Sequence, residues 1–421
     1  MSSALFRIQE HILPCQHIRQ YPHATIDSQE DILHLAIKQY TPLDNPSPQA
    51  GDVTIIGTHA NAFPKELYEP LWDELLRRSK AAGFRIRSIW IADVAFQGAS
   101  GVLNESKLGN DPSWYDHPRD LLHMVNHFRA SMPRPIIGIG HSMGGNNLVN
   151  LSLMHPRLFE TLILIDPVIA RLTSRKGNIS PASASSVRRD RWPSRKVAAE
   201  AFLRSKFYQS WDKRVFDLWV KHGLRDLPTK VYPDPAAGYE PEVTLATTKH
   251  QEVFTFLRPN LPAKPGSLPK ALTHPDVPSE GPHEPFYRPE PLMTFKNLPH
   301  LRPSVLYIFG EISPLSEKST RDEKMAVTGV GESGSGGAPA GRVRDVVVAG
   351  AGHLIPMEKV GETADLCSGW LDSELKRWAA NEHTIRQAWA RVPPREKYTL
   401  TQEVLDTLSG VMPKRVSKPK L

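Results

Sequence analysis

The sequence predicts an α/β fold in which a mostly parallel central sheet is flanked by helices and interrupted by an inserted helical, proline-rich cap. Three observations predict it. Short β-branched runs alternate with amphipathic helical stretches as far as residue 165; a basic, aromatic and then proline-rich segment follows; and strand texture returns from residue 304. The chain has 421 residues, 40% hydrophobic and 23% charged, with 52 Lys plus Arg against 45 Asp plus Glu for a net charge of +7. That balance fits an ordinary soluble globular chain and excludes full disorder, with room for one large domain carrying an insertion or for two to three smaller ones. No stretch approaches the ~18 uninterrupted apolar residues of a spanning helix, since Leu162–Ala170 is broken by Asp166 and Pro167, and no transmembrane segment is expected. Cys15 and Cys367 are the only cysteines, too few for a disulfide framework or a four-ligand zinc site, so a reducing compartment is expected.

Taken in order, residues 1–13 lack the basic start and apolar core of a secretory signal and are expected to begin a strand. Further strands are expected at Ile32–Tyr40, ended by Pro42, at Val53–Ile56 before Gly57, at Ile86–Ile91 before Asp93, and at Pro135–Ile139. Between them, residues 68–81 set Leu71, Leu75 and Leu76 on one helical face, and residues 118–132 do the same with Leu121, Leu122, Val125 and Phe128. Residues 171–230 hold 15 Lys or Arg against five acids, with Phe202, Phe207, Trp211, Phe216 and Trp219 interleaved. They read as helices with solvated basic faces over an apolar underside, not as a nucleic-acid surface. Residues 259–303 carry 12 of the 38 prolines, which is expected to forbid regular helix there and to give a long segment wrapping the surface. Strand texture returns at Ser304–Phe309 and Val343–Val348, separated by a Gly/Ser-rich stretch, 328–341, expected to be a flexible surface loop. Inside that stretch Gly329-Val330-Gly331-Glu332-Ser333-Gly334 fits G-x-G-x-x-G, but with no strand before it and no helix after it nothing would hold a pyrophosphate. Helix closes the chain, with Thr401 as N-cap of the Glu403–Leu408 segment, before a basic tail from Lys414. The expected domains are a core of residues 1–170 and 298–421 and an inserted cap of residues 171–297.

The chemistry is concentrated at Gly140-His141-Ser142-Met143-Gly144, a G-x-S-x-G match preceded by strand texture and followed by a helix-compatible run. A serine at such a turn has its Oγ thrust above the sheet edge, and the glycines leave room where a Cβ would strike the neighbouring strand and helix. The helix N-terminus behind it offers the N–H of Met143 to a developing oxyanion. A nucleophilic serine needs a base from another loop on the same edge. His353, in Ala349-Gly-Ala-Gly-His353 directly after a strand, is the candidate. His123 and His127 have i, i+4 spacing, but Met124 stands where a zinc protease needs Glu, so no metal site is expected.

These residues resemble the α/β-hydrolase superfamily over residues 20–380. More narrowly, Lys107-Leu-Gly-Asn-Asp-Pro-Ser-Trp114, Arg119-Asp120, Ile139–Gly145, Leu158–Val168 and Gly352-His353-Leu354 are similar to the fungal peroxisomal lipase family and the abhydrolases of AK-toxin biosynthesis. The resemblance implies a serine esterase, lipase or thioesterase, with Ser142 as nucleophile, His353 as base and an acid at Asp166. In that superfamily the acid often follows the strand that here reads Ser304–Phe309, yet Gly310-Glu311-Ile312-Ser313-Pro314 has no Asp. Asp166, at the end of an earlier strand expected at Leu162–Ile165, is therefore preferred, with Glu311 as the alternative; both respect the Ser, acid, His chain order. The second oxyanion donor should come from Thr58-His59-Ala60-Asn61-Ala62-Phe63-Pro64, where alanine replaces a usual glycine: the N–H of Asn61, or failing that of Ala60. An apolar cap and its charge suit a hydrophobic acyl ester or thioester, an acyl-CoA included, and no cofactor is required. Acyl transfer through the same acyl-enzyme, or a non-catalytic binding protein, remain the alternatives. Pro419-Lys420-Leu421 is similar to the Ser-Lys-Leu address read by the peroxisomal import receptor, with Pro in place of a small residue; peroxisome is expected, cytoplasm the alternative.

Overall fold

β-Branched and aromatic runs form the first six strands: β1 (Phe6–Pro14), β2 (His34–Pro42), β3 (Val53–Thr58), β4 (Ile86–Ala92), β5 (Ile136–His141) and β6 (Thr161–Ile165). Helices α1 (Glu69–Ser79), α2 (Gly98–Leu103), α3 (Asp116–His127) and α4 (Met143–Met154) lie between them. After β6 the chain leaves the sheet and builds α5 (Ser180–Val187), α6 (Arg195–Leu203), α7 (Lys206–Gln209), α8 (Lys213–His222), α9 (Lys249–Phe256), α10 (Lys270–Thr273) and α11 (Pro289–Asn297). The same insertion holds a small sheet of β7 (Arg191–Trp192), β8 (Leu224–Asp226) and β9 (Val243–Leu245) and a second of β10 (Arg258–Pro259) and β11 (Phe286–Tyr287). The chain returns through β12 (Ser304–Gly310), α12 (Lys318–Val327), β13 (Val343–Val348), α13 (Ile355–Glu358) and α14 (Val360–Arg391). This computed structural model describes residues 4–171, 178–236, 240–277 and 284–411, so the tripeptide Pro419-Lys420-Leu421 lies outside the described residues.

The main sheet runs β1-β2-β4-β3-β5-β6-β12-β13. β1 pairs antiparallel with β2 and β2 with β4, and every other neighbouring pair is parallel. Strands β3, β5, β6 and β12 are buried along their whole length, as a sheet covered on both faces requires. Ile55, Ile89, Leu71 and Trp72 pack on one side of it, and Ile56, Trp90, Leu121 and Leu148 on the other. The parallel strands deliver their C-terminal ends, and the loops that follow, to one edge.

Two expectations need correction. The proline-rich segment does contain helix, the four residues of α10 and the nine of α11, and α11 can form because Pro289 and Pro291 sit in its first turn, where a missing N–H costs nothing. The Gly/Ser-rich stretch is tied down rather than free: Gly329, Gly331 and Ser335 donate their N–H groups to the carbonyls of Leu298, Pro299 and Leu301. Helix α12, ahead of that loop, had no counterpart in the sequence reading.

The insertion is joined to the first half of the chain by Arg258, which is 1% exposed, pairs bidentately with Asp111 and lies 3.5 Å over the Tyr21 ring. Its aromatics Trp211 and Trp219 close on Phe63, with ring centroids 5.7 and 6.1 Å away. Contacts divide the chain into one unit, Met1–Leu375, and a second, Lys376–Leu421. The second unit carries the end of α14, a 3-10 turn at Pro394–Lys397 and α15 (Gln402–Val411); Thr401 Oγ1 accepts from the Val404 N–H and so caps α15. Among the described residues no helix is long and apolar enough to cross a membrane.

Candidate active site

Strand β5 ends in a turn whose backbone is unusual for a side-chain-bearing residue: Ser142 has φ 58° and ψ −119°. Its N–H donates to the Ile165 carbonyl at 2.9 Å, and α4 starts at the next residue. The turn exists only because its glycines carry no Cβ. One on Gly144 would stand 2.5 Å from the Thr58 carbonyl oxygen, and one on Gly140 would stand 2.6 Å from Thr58 Oγ1. The strained serine is thereby held at the edge where the loops after β3, β6, β12 and β13 converge.

His353 stands on the loop after β13. Glu358 accepts the Gly352 N–H at 2.7 Å, and the His353 carbonyl accepts from His141 Nε2 at 2.9 Å. His353 Nε2 lies 2.9 Å from Ser142 Oγ, and Nδ1 lies 2.6 Å from Asp166 Oδ2. The carboxylate can only accept, so Nδ1 carries the proton and Nε2 is left with its lone pair toward the serine hydroxyl. Asp166 follows β6 directly. It is fully buried, adopts the left-handed backbone region at φ 41°, and donates its N–H to the Ile308 carbonyl at 2.7 Å. Ser313 Oγ donates to the same Oδ2, while Oδ1 has no hydrogen-bond partner among the described residues. The structure thus brings Ser142, His353 and Asp166 into one hydrogen-bonded line. Glu311 stands elsewhere, accepting the Gly350 N–H at 2.8 Å, with no hydrogen bond to His353 among the described residues.

The loop after β3 presents three successive amides. The Ala60 N–H donates to Tyr68 Oη at 2.8 Å and the Ala62 N–H to Gln97 Oε1 at 2.8 Å. The Asn61 N–H between them meets no acceptor among the described residues, and the same holds for the N–H of Met143. The Asn61 side chain is engaged at both of its polar atoms, its Oδ1 accepting from Gln97 at 2.7 Å and its Nδ2 donating to the Glu252 carbonyl of α9 at 3.1 Å. Two buried histidines complete the frame. Burial lowers the pKa of His59, whose Nε2 accepts the Val94 N–H. Burial, aided by nearby His353, holds His141 down at about 3. Among the described residues no group of three or more His, Cys, Asp or Glu side chains is arranged to hold a metal ion. The sequence assigned no role at the site to Ser313, Tyr68, Gln97 or Glu358. Only Ser313 left a signal there, by occupying the strand-end segment where an acid was sought.

Residues 56–366 match the Alpha/beta hydrolase family. The chain is 44% identical over 407 residues to the type I acyl-CoA thioesterase mpaH' of Penicillium brevicompactum, covering 92% of each chain. It is 43% identical to the type I acyl-CoA thioesterase mpaH of Penicillium roqueforti, covering 91% of each. The abhydrolase domain-containing protein AFT2-1 of Alternaria alternata is 29% identical over 58% of this chain and 85% of its own. Among solved structures, the peroxisomal α/β-hydrolase Lpx1 of Saccharomyces cerevisiae superposes with a TM-score of 0.67 at 15% identity, over 92% of this chain and 99% of its own. The thioesterase domain from the curacin biosynthetic pathway does so with a TM-score of 0.51 at 11% identity, over 86% and 99%. With that breadth of match and an eight-stranded sheet of the same class, the chain belongs to the alpha/beta hydrolase family.

Proposed function

We propose that the protein is a serine hydrolase that cleaves a hydrophobic acyl thioester, an acyl-CoA above all, through an acyl-enzyme on Ser142. The observation that carries the reading is the imidazole of His353 spanning Ser142 Oγ and Asp166 Oδ2 at 2.9 and 2.6 Å. His353 Nε2 takes the hydroxyl proton as Oγ attacks the thioester carbonyl, and Asp166 stabilises the imidazolium that forms. The N–H groups of Met143 and Asn61, both left without acceptors among the described residues, receive the oxyanion. Ala60, the other donor considered, is engaged by Tyr68. As the tetrahedral adduct collapses, the C–S bond breaks and His353 returns its proton to the thiolate. Water, deprotonated by the same nitrogen, then releases the carboxylic acid and frees the serine.

The thioester preference rests on the two acyl-CoA thioesterases at 43 and 44% identity. The excess of basic residues in 171–230 suits a polyphosphate-bearing leaving group. We read residues 171–297 as the cap over the serine, a reading supported by the bonds from Asn61 and Gln97 to Glu252 and Thr255 of α9. Peroxisomal import through Pro419-Lys420-Leu421 belongs to the same proposal, and a fluorescent fusion with and without the tripeptide tests it. For the activity, thiol release from acyl-CoAs of graded length is measured beside hydrolysis of p-nitrophenyl esters, with fluorophosphonate labelling of the folded protein. Labelling and turnover that vanish in Ser142→Ala are expected. No thiol release from any acyl-CoA, or equal labelling of Ser142→Ala, overturns the reading.

A further inference from the structure

Behind the reactive groups a second line of hydrogen bonds joins the three loops that carry them. The Ala60 N–H donates to Tyr68 Oη at 2.8 Å, Tyr68 Oη lies 2.9 Å from His141 Nδ1, and His141 Nε2 lies 2.9 Å from the His353 carbonyl oxygen. All of these groups except the His353 loop are essentially dry: Ala60 and Tyr68 are 2% exposed and His141 is not exposed at all. The ends of the chain fix its direction. A backbone N–H can only donate, so Tyr68 oxygen accepts there and its single proton is left for His141. A carbonyl can only accept, so His141 Nε2 must carry the proton. A neutral imidazole with a bare Nδ1 satisfies both demands at once, and burial beside His353 keeps it neutral far below physiological pH.

We propose that Tyr68 and His141 are positioning residues that lock the oxyanion loop and the base loop to the serine turn. The assignment rests on the reading of Ser142 and His353 given above. The line passes next to each reacting group: Ala60 precedes Asn61, whose N–H meets no acceptor among the described residues, His141 precedes Ser142, and the last acceptor is the peptide of His353 itself. The line touches no substrate. It holds the separation between nucleophile, base and oxyanion donor, which a small shift in any one loop would spoil.

Tyr68→Phe deletes the link without changing the ring. It is expected to lower kcat about 10- to 100-fold with KM within about threefold, since a misplacement of about 1 Å costs on that order. His141→Leu should lower kcat at least as far, and Tyr68→Phe adds little on top of it because the line acts as a unit. Tyr307→Phe is the control: it deletes an equally buried hydroxyl, bonded to Thr328 at 2.9 Å, and should change kcat by less than twofold. Rates are taken per serine labelled by fluorophosphonate, which removes any effect of misfolded protein. Nitrogen-15 resonances of histidine in the unaltered protein should show His141 as the neutral Nε2–H form from pH 5 to 8. If Tyr68→Phe turns over at the unaltered rate per labelled serine, or His141 proves to be the Nδ1–H form, the assignment falls. If the unaltered protein is not labelled at Ser142 at all, it is the proposed function that falls.

Discussion

Asp166→Asn separates the two carboxylates that the sequence left in competition. Asp166 Oδ2 accepts from two donors, His353 Nδ1 at 2.6 Å and the Ser313 hydroxyl. Asparagine can answer them only badly. With its oxygen toward His353 the hydrogen bond survives but the negative charge facing the nascent imidazolium is lost. With its amide nitrogen there, Nδ1 must accept, the proton moves to Nε2, and the nitrogen facing Ser142 can no longer take a proton. Loss of the correct tautomer in such a triad lowers kcat by about 10⁴, equivalent to about 5.5 kcal/mol of barrier. Glu311→Gln keeps an oxygen for the Gly350 N–H and should change kcat by no more than about twofold, within the range of an exposed neutral substitution. Thiol release from the best acyl-CoA, normalised to labelled Ser142 or to circular-dichroism-verified folded protein, measures both. A Glu311→Gln enzyme slowed a hundredfold beside a near-normal Asp166→Asn enzyme refutes the assignment and moves the acid to the β12 strand end.

The remaining predictions address the frame. Ser313→Ala removes one hydrogen bond to a charged oxygen while leaving His353 its partner, and should lower kcat by about tenfold, as loss of a bond to a charged group implies. Gly144→Ala sets a Cβ 2.5 Å from one backbone oxygen and 2.8 Å from another, so thermal melting should report a loss of about 3 kcal/mol or more. Lys324 is 1% exposed, its ammonium lies 5.4 Å from the Phe309 ring centroid, and burial holds its pKa down to about 8 against the pull of Asp166 and Glu323. Its unfolded form takes its proton near 10.5 and the folded form only near 8, so the penalty grows as pH falls between those values and is constant below. Lys324→Met should therefore melt higher at pH 7 by an amount on the order of 3 kcal/mol, a gap that narrows from pH 8 to 10.5. Burial alone would raise the Glu66 carboxyl, but Lys65 and Lys38 overcome it and hold the group at about 2. Its stabilisation is present above pH 4.5 and lost as pH falls toward 2, so the melting temperatures of the unaltered protein and Glu66→Gln should converge over that window.

What could be read ahead of the structure was local. The strands announce themselves by β-branched runs that stop at Pro42 or before Asp93, and the serine turn by two glycines whose neighbours forbid a Cβ. The Pro-rich segment misled because counting prolines ignores where in a helix they fall, and Pro289 and Pro291 fall where they are harmless. The supporting side chains were illegible for another reason. Tyr68 meets His141 across 73 residues, Ser313 meets Asp166 across 147, and His141 meets His353 across 212. Such pairs are made by the order of strands in the sheet, which no local pattern records.

Strand order also explains why the proposed acid can stand where it does. β6 and β12 are parallel neighbours in register, Ile165 beside Ile308, and the Asp166 N–H extends the pairing one step further to the Ile308 carbonyl. The residue just past β6 therefore lies beside the segment just past β12, and a carboxylate from either can face the same imidazole nitrogen. Here the β6 end supplies the charge and the β12 end supplies the Ser313 hydroxyl, both converging on one oxygen atom. The arrangement demands a sharp departure of the chain from β6, which Asp166 meets with a left-handed backbone and Pro167 follows. Aspartate tolerates that conformation better than most side-chain-bearing residues, and glutamate, longer and less tolerant of it, would carry its carboxyl past the histidine. On the proposed assignment, Ser313 does for the carboxylate what Tyr68 and His141 do for the loops: it restricts a group whose chemistry depends on direction to the one orientation that serves the base.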